Sequence, residues 1–303
     1  MADFKDLMEL PWVNNEPLNN GDNIEGVLYL CATPIGNLED ITVRVLTTLN
    51  KVDLIAAEDT RHSIKLQNHY NIKTPMTSYH EHNRVEKAKE LVLSLKKGKN
   101  IAIITDAGTP GISDPGEELV RQCIEAGIRV TSLPGATAFV TALTISGQPT
   151  RRFRFEAFLP TDKKERARIL ESFKEETATI ILYEAPHHLL KTLKLLATVF
   201  PDNRSMSICR ELTKKYEEII YKPLSEMILY YELNEPRGEF VIVIKGRDFK
   251  EIEAERISEW KEWTVKEHVE YYISSGIDKK EAMKSAARDR GISKRDVYNQ
   301  LIN

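Results

Sequence analysis

Three cysteines in 303 residues leave no basis for a disulfide framework. Cys31, Cys123 and Cys209 lie far apart in apolar contexts, without a partner at metal-ligand spacing, and read as buried thiols suited to a reducing cytoplasm. No apolar run approaches the length of a membrane span. The first 26 residues are acidic and asparagine-rich and lack the charged-then-apolar order of a signal peptide, so residues 1–23 are expected to be a flexible or loosely docked arm. A formal charge of -3 argues against indiscriminate coating of nucleic acid; any such contact must come from local basic patches. Neither G-x-G-x-x-G nor G-x-x-x-x-G-K-[ST] occurs, which weakens NAD and ATP as ligands.

Instead, strand-like runs repeatedly end in glycine- and proline-containing loops. Ile101-Ala102-Ile103-Ile104 leads into Thr105-Asp106-Ala107-Gly108-Thr109-Pro110-Gly111-Ile112-Ser113-Asp114-Pro115-Gly116. Glycines there permit positive φ and close backbone approach, while the prolines fix their own φ, so the loop is shaped rather than floppy. A helix over 117–126 and a strand ending in Leu133-Pro134-Gly135-Ala136-Thr137 complete a βαβ unit. Right-handed crossovers put both loops at one edge of a parallel sheet, where open α/β folds hold ligands. Val27-Leu28-Tyr29-Leu30-Cys31 followed by Ala32-Thr33-Pro34-Ile35-Gly36-Asn37-Leu38 repeats the arrangement, and Asp40 is expected to cap the next helix.

A third strand, 52–57, ends in Glu58-Asp59-Thr60-Arg61-His62. Asp59 or Thr60 can cap the following helix with Arg61 offsetting the acids, or the group can do chemistry. Thr77-Ser78-Tyr79-His80-Glu81-His82-Asn83 places two imidazoles on one face of an extended segment, but a third ligand at metal spacing is missing, so no metal is expected.

Thr33-Pro34-Ile35-Gly36-Asn37-Leu38, Ala57-Glu58-Asp59-Thr60-Arg61-His62, Tyr79-His80-Glu81-His82-Asn83, Asp106-Ala107-Gly108-Thr109-Pro110 and Ile112-Ser113-Asp114-Pro115-Gly116, in that order, closely resemble the bacterial small-subunit ribosomal RNA methyltransferase I family of the tetrapyrrole methylase superfamily. The resemblance runs from about Val27 to the C-terminus. It implies an α/β, two-domain tetrapyrrole-methylase-like (class III methyltransferase) fold with parallel or mixed sheets plus a small helical tail. It also implies S-adenosylmethionine as cofactor, 2'-O-methylation of a cytidine ribose in 16S ribosomal RNA, naked or in the 30S subunit, and a cytoplasmic homodimer. The residues alone imply only a loop-built ligand site of non-dinucleotide type.

On this reading Pro34, Ile35, Gly36, Asn37, Asp106, Ala107, Gly108, Thr109, Pro110, Ser113, Asp114, Pro134, Gly135, Ala136 and Thr137 hold the cofactor. Glu184, Pro186 and Glu211 join them from the second domain, with helix-start or salt-bridge use of the two glutamates as the alternative. Catalysis is assigned to Glu58, Asp59, Arg61, His80 and His82, with His82 or Asp59 as base and Arg61 as electrostatic partner. A purely structural role for each stays open.

The first domain is expected over 24–146 and the second over 147–247, beginning at the turn-rich 145–150. Arg152-Phe153-Arg154-Phe155-Glu156 alternates like a strand with phenylalanines inward and arginines outward. Arg151, Arg152, Arg154, Lys163 and Lys164 are candidate RNA contacts. Where the family usually shows arginine after Pro-His, His188 stands here. Residues 248–303 read as a helical tail resembling a helix-turn-helix; Lys284, Arg288, Lys294 and Arg295 are candidate RNA contacts, unless the tail is simply a bundle with a solvated face. The rival functions are methylation of a tetrapyrrole or protein, and non-catalytic RNA binding or assembly.

Overall fold

The computed structural model describes residues 25–249, 252, 260 and 263–302. The arm expected over 1–23 lies outside the described residues.

The first half forms a sheet of β1 (Val27–Cys31), β2 (Leu54–Ala57), β3 (Met76–Ser78), β4 (Ile101–Ile104) and β5 (Arg129–Leu133), ordered β3-β2-β4-β1-β5. Every pairing is parallel. The run Ile101-Ala102-Ile103-Ile104 is apolar without alternation because both faces are covered. Ile101 and Ile103 pack on α3 (Arg84–Lys96) and α4 (Gly116–Glu125), while Ala102 and Ile104 meet α1 (Val43–Lys51) on the other face. Asp40 does not cap α1. It falls in a 3-10 turn over Leu38–Asp40, capped in turn by Asn37, and Thr42 caps α1 by accepting from the Val45 amide at 3.2 Å. Asp59 does cap α2 (Thr60–His69).

The second sheet comprises β6 (Phe153–Ala157), β7 (Thr179–Glu184), β8 (Ser205–Arg210), β9 (Glu218–Pro223) and β10 (Phe240–Ile244), in the order β6-β7-β10-β8-β9. Only β6 and β7 pair in parallel; the other pairs are antiparallel. One face packs on α6 (Lys163–Phe173), α7 (Pro186–Leu196) and α8 (Leu224–Leu233). The other is covered by α5 (Ala138–Ile145), whose Ala142 and Leu143 share a core with Ile181, Cys209, Val241 and Val243. A helix grouped with the first half by sequence therefore packs on the second sheet. This stacks the carboxyl-edge loops of the first sheet against the second.

Phe155 points inward and stacks on Phe139, but Phe153 is 45% exposed. Arg154 departs from the outward orientation expected of it: its guanidinium lies over the Phe173 ring at 5.0 Å and pairs with Glu156 at 2.7 Å. The tail forms α9 (Val265–Ser274), α10 (Lys279–Arg290) and α11 (Lys294–Ile302) around a core of its own, Val265, Val269, Ala282, Ala286, Ala287 and Val297. Arg290, at the end of α10, is turned inward. It donates to His268 Nδ1 at 3.0 Å and to the carbonyls of Trp260 and Trp263.

Candidate functional site

The loops after β1, β4 and β5 are fastened to one another. Thr33 and Gly108 exchange backbone hydrogen bonds of 2.9 and 3.1 Å, and the Thr33 hydroxyl donates to the Thr105 carbonyl. Thr109 Oγ1 donates to the Ala136 carbonyl at 3.0 Å and lies 2.7 Å from Thr137 Oγ1. Gly108 sits at φ 88°, which glycine adopts without strain. A Cβ on Gly135 would stand 2.5 Å from Ala32 Cβ, so only glycine lets these two loops approach. Asp114 is occupied within its own loop, accepting from the amides of Gly111, Ile112 and Gly116, beside Ser113 at φ 63°. Burial raises the Asp114 pKa against these amide bonds.

The first loop also reaches the second sheet. The Asn37 amide donates to Thr213 Oγ1 at 3.0 Å, and a Cβ on Gly36 would lie 2.5 Å from Lys214 Cγ. Lys214 Nζ bridges Glu211 Oε1 at 2.9 Å and Glu239 Oε2 at 2.8 Å, and the Glu239 amide also donates to Glu211. Burial opposes the charge on both members, but their hydrogen bonds outweigh it: Glu211 is lowered and Lys214 raised. Glu211 and Thr213 adopt positive φ of 51° and 65°, conformations that the surrounding hydrogen bonds must hold in place.

Between the sheets lies a cavity of about 500 Å³, within the range of small-molecule sites. Of the residues assigned to the cofactor by sequence, Ile35, Asp106, Ala107, Gly108, Thr109 and Thr137 line it, with Glu184 and Pro186 from the second sheet. Pro34, Gly36, Asn37, Pro110, Ser113, Asp114, Pro134, Gly135, Ala136 and Glu211 are not among the lining residues. Several of these build the loops behind the wall. Glu184 also has a structural duty, accepting from the Ala185 amide and the Thr192 hydroxyl at the start of α7. Sequence reasoning missed Phe158, Tyr183, Leu212, Lys214 and Glu239 as lining residues. Lys214 lies three residues from Glu211, and nothing local in the sequence marks it.

The acid, base and imidazole residues gather on the flank away from β5. The pairing Ala57↔Ser78 sets Glu58 and Asp59 beside Tyr79 and His80 at neighbouring strand ends. Thr105 Oγ1 donates to Glu58 at 2.5 Å, and the Asp59 amide donates to Asp106, so this flank adjoins the cavity wall. None of Glu58, Asp59, Arg61, His80 and His82 lines the cavity itself. The Arg61 guanidinium donates twice to Asp59, at 3.1 and 2.8 Å, the Arg61 amide donates once at 2.8 Å, and these hydrogen bonds hold the Asp59 carboxyl down at about 2. His80 Nδ1 is buried without a hydrogen-bond partner, whereas His82, with its ring centroid 5.9 Å from that of His80, is exposed. Burial, then the charge of Glu58, raises the Asp106 pKa. Among the described residues no group of three or more His, Cys, Asp and Glu side chains is arranged to hold a metal, and no helix is long and apolar enough to cross a membrane.

Arg151, Arg152, Lys163 and Lys164 are exposed, as are Lys284, Arg288, Lys294 and Arg295 in the tail. Lys284 pairs with Glu281 at 3.4 Å and Arg288 with Asp289 at 3.5 Å. His188 is exposed, its ring 4.1 Å from that of His187.

The family model for Tetrapyrrole (Corrin/Porphyrin) Methylases matches residues 27–228. A Bacillus subtilis (strain 168) protein named Ribosomal RNA small subunit methyltransferase I is 49% identical over 280 residues, which cover 92% of this chain and 95% of that one. A Thermotoga maritima protein of the same name is 45% identical, and 74% of this chain covers 100% of it. Among solved structures, a diphthine synthase aligns with a TM-score of 0.60 at 11% identity, over 73% of this chain and 90% of that chain, a likeness of fold alone. The chain therefore belongs to the tetrapyrrole methylase family and, within it, to the ribosomal RNA small subunit methyltransferase I group.

Proposed function

We propose that the protein uses S-adenosylmethionine to methylate the ribose 2'-oxygen of a cytidine in small-subunit ribosomal RNA. The observation that carries this reading is the cavity of about 500 Å³ walled by loops from both sheets. Its lining fits the cofactor. Ile35, Leu212 and Val241 offer apolar surface, Asp106 offers an anionic group suited to an ammonium or a sulfonium, and the paired Lys214 and Glu239 present both signs of charge at the wall. The relatives' names supply the acceptor class.

Bound there, S-adenosylmethionine supplies a methyl group on a positively charged sulfur, with a neutral thioether as leaving group. The protein must align the ribose hydroxyl and take up its proton. Alignment is worth up to about 7–11 kcal/mol, and a positioned base roughly 10²–10⁴ in rate. Asp59, held at about 2 by Arg61, is a poor proton acceptor near neutrality. Between His82 and Asp59 the base role is therefore given to His82, an exposed imidazole beside His80, with Arg61, paired with Asp59, as electrostatic partner. On the same reading residues 24–146 and 147–247 act as two domains, the tail 248–303 and the exposed basic residues contact RNA, and the protein works as a cytoplasmic homodimer.

Calorimetric titration with S-adenosylmethionine tests the cavity assignment. Saturable binding to the parent, weakened in a folded Lys214→Met variant, supports it; absence of binding to the parent indicates a vestigial cleft.

A further inference from the structure

Phe158 is 54% exposed, yet the chain before and after it is held in place. β6 carries an extra residue between Phe155 and Ala157, a bulge that re-aims the chain beyond it. Ala157 adopts φ 55°, which a residue with a Cβ occupies only against strain. The result turns Phe158 onto the cavity wall, where its ring meets Tyr183 edge to face at 5.7 Å. Tyr183 is itself held, accepting from the Phe139 amide at 3.2 Å. Beyond Phe158, Leu159 packs against the second-sheet core, and Arg166 Nη1 donates to the carbonyls of Pro160 and Thr161 at 2.8 and 3.0 Å. A lone exposed ring is ordinary on a protein surface; what sets Phe158 apart is that the bulge, the positive φ of Ala157 and the contact with Tyr183 place it at the cavity wall.

We propose that Phe158 is the stacking platform for a nucleobase of the RNA substrate at the mouth of the cavity. The inference rests on the functional reading above and adds a specific residue to it. A planar base presents a π-face to an aromatic side chain whatever its sequence, and single-stranded RNA is commonly met in this way. The exposed Lys163 and Lys164, in the first turn of α6 and a few residues beyond Phe158, are suited to adjacent phosphates. The other heteroaromatic ring that this cavity would meet is the adenine of the cofactor. The exposure of Phe158 favours the base that arrives from solvent.

The test compares Phe158→Ala, Phe158→Leu and Phe158→Trp with the parent, using unmethylated small-subunit ribosomal RNA and S-adenosylmethionine as separate titrants. Loss of one stacked base is expected to weaken RNA binding roughly 5- to 150-fold in the alanine variant. Leucine should leave it weakened, tryptophan should restore it, and RNA affinity should fall more than cofactor affinity in the alanine variant. Unchanged RNA affinity in the alanine variant overturns the proposal, as does full binding by the leucine variant, which would reduce the role to apolar packing. Weakened cofactor binding with normal RNA binding assigns the ring to adenine and overturns it too. A parent that binds the cofactor but neither binds nor methylates the RNA refutes the functional reading itself, an outcome separate from the others.

Discussion

Thr33 and Gly108 exchange two backbone hydrogen bonds, at 2.9 and 3.1 Å, and so make the loops after β1 and β4 one rigid wall. Gly108 is suited to this bridge by its φ of 88°. A Cβ there is strained by about 1–2 kcal/mol. Gly108→Ala should lower stability by that amount and also weaken S-adenosylmethionine binding. Gly127→Ala, at φ 77° with open space around it, carries the same kind of strain at the far end of α4 and should lower stability alone. Equal cofactor affinity in both variants would remove the loop from the site.

Ala157 is strained in the same sense without being a glycine. Ala157→Gly should raise thermal stability by up to about 1 kcal/mol, the relieved strain outweighing the added freedom of the unfolded chain. A fall in melting temperature would contradict this account of the bulge.

The shaped loops were legible because an apolar strand followed by glycine and proline is a local signal: Ile101 to Gly116 carries its own structure. The capping of α1 by Thr42 rather than Asp40 was less so, since two candidate residues lay within one turn and the 3-10 segment took the first. The packing of α5 on the second sheet, the placement of Lys214 and the inward turn of Arg154 were not legible. Each depends on a partner remote in sequence, Cys209 and Val241 for α5, Gly36 and Glu239 for Lys214, Phe173 for Arg154.

Lys214 joins two carboxylates at the cavity wall, partly shielded from solvent. Lys214→Met leaves Glu211 and Glu239 without their shared cation, and cofactor affinity should fall roughly ten- to hundredfold with the fold retained. Isothermal titration with circular dichroism as the control checks this; unchanged affinity would make the bridge purely structural.

The hydrogen bonds from Arg61 hold Asp59 at about 2, below its unfolded value of about 3.9. Its contribution to stability is therefore complete above the unfolded value and is lost progressively as pH falls below it and through about 2. Asp59 is thus ionised throughout the range in which the enzyme works and does not shape its pH profile. Single-turnover methylation by Asp59→Asn should keep the parent's pH profile, whereas His82→Ala should lose roughly 10²–10⁴ in rate. A parent-like rate in His82→Ala would transfer the base role elsewhere.

The tail has a core of its own, and the Thermotoga maritima relative is covered whole by 74% of this chain. Truncation before Trp260 should leave cofactor affinity intact, weaken RNA binding and flatten its dependence on salt, because fewer phosphates are then neutralised. Equal RNA affinity with the same salt slope would show the tail to be structural.

The central claim is transfer of a methyl group to a cytidine ribose of small-subunit ribosomal RNA. Its most direct test is mass mapping of that RNA, isolated from a strain lacking the protein and incubated with purified protein and S-adenosylmethionine. One additional methyl on the ribose of a cytidine, absent when Gly108→Val replaces the parent, is the expected result. A methyl on a base, or RNA left unmodified by a protein that binds the cofactor, would contradict the account.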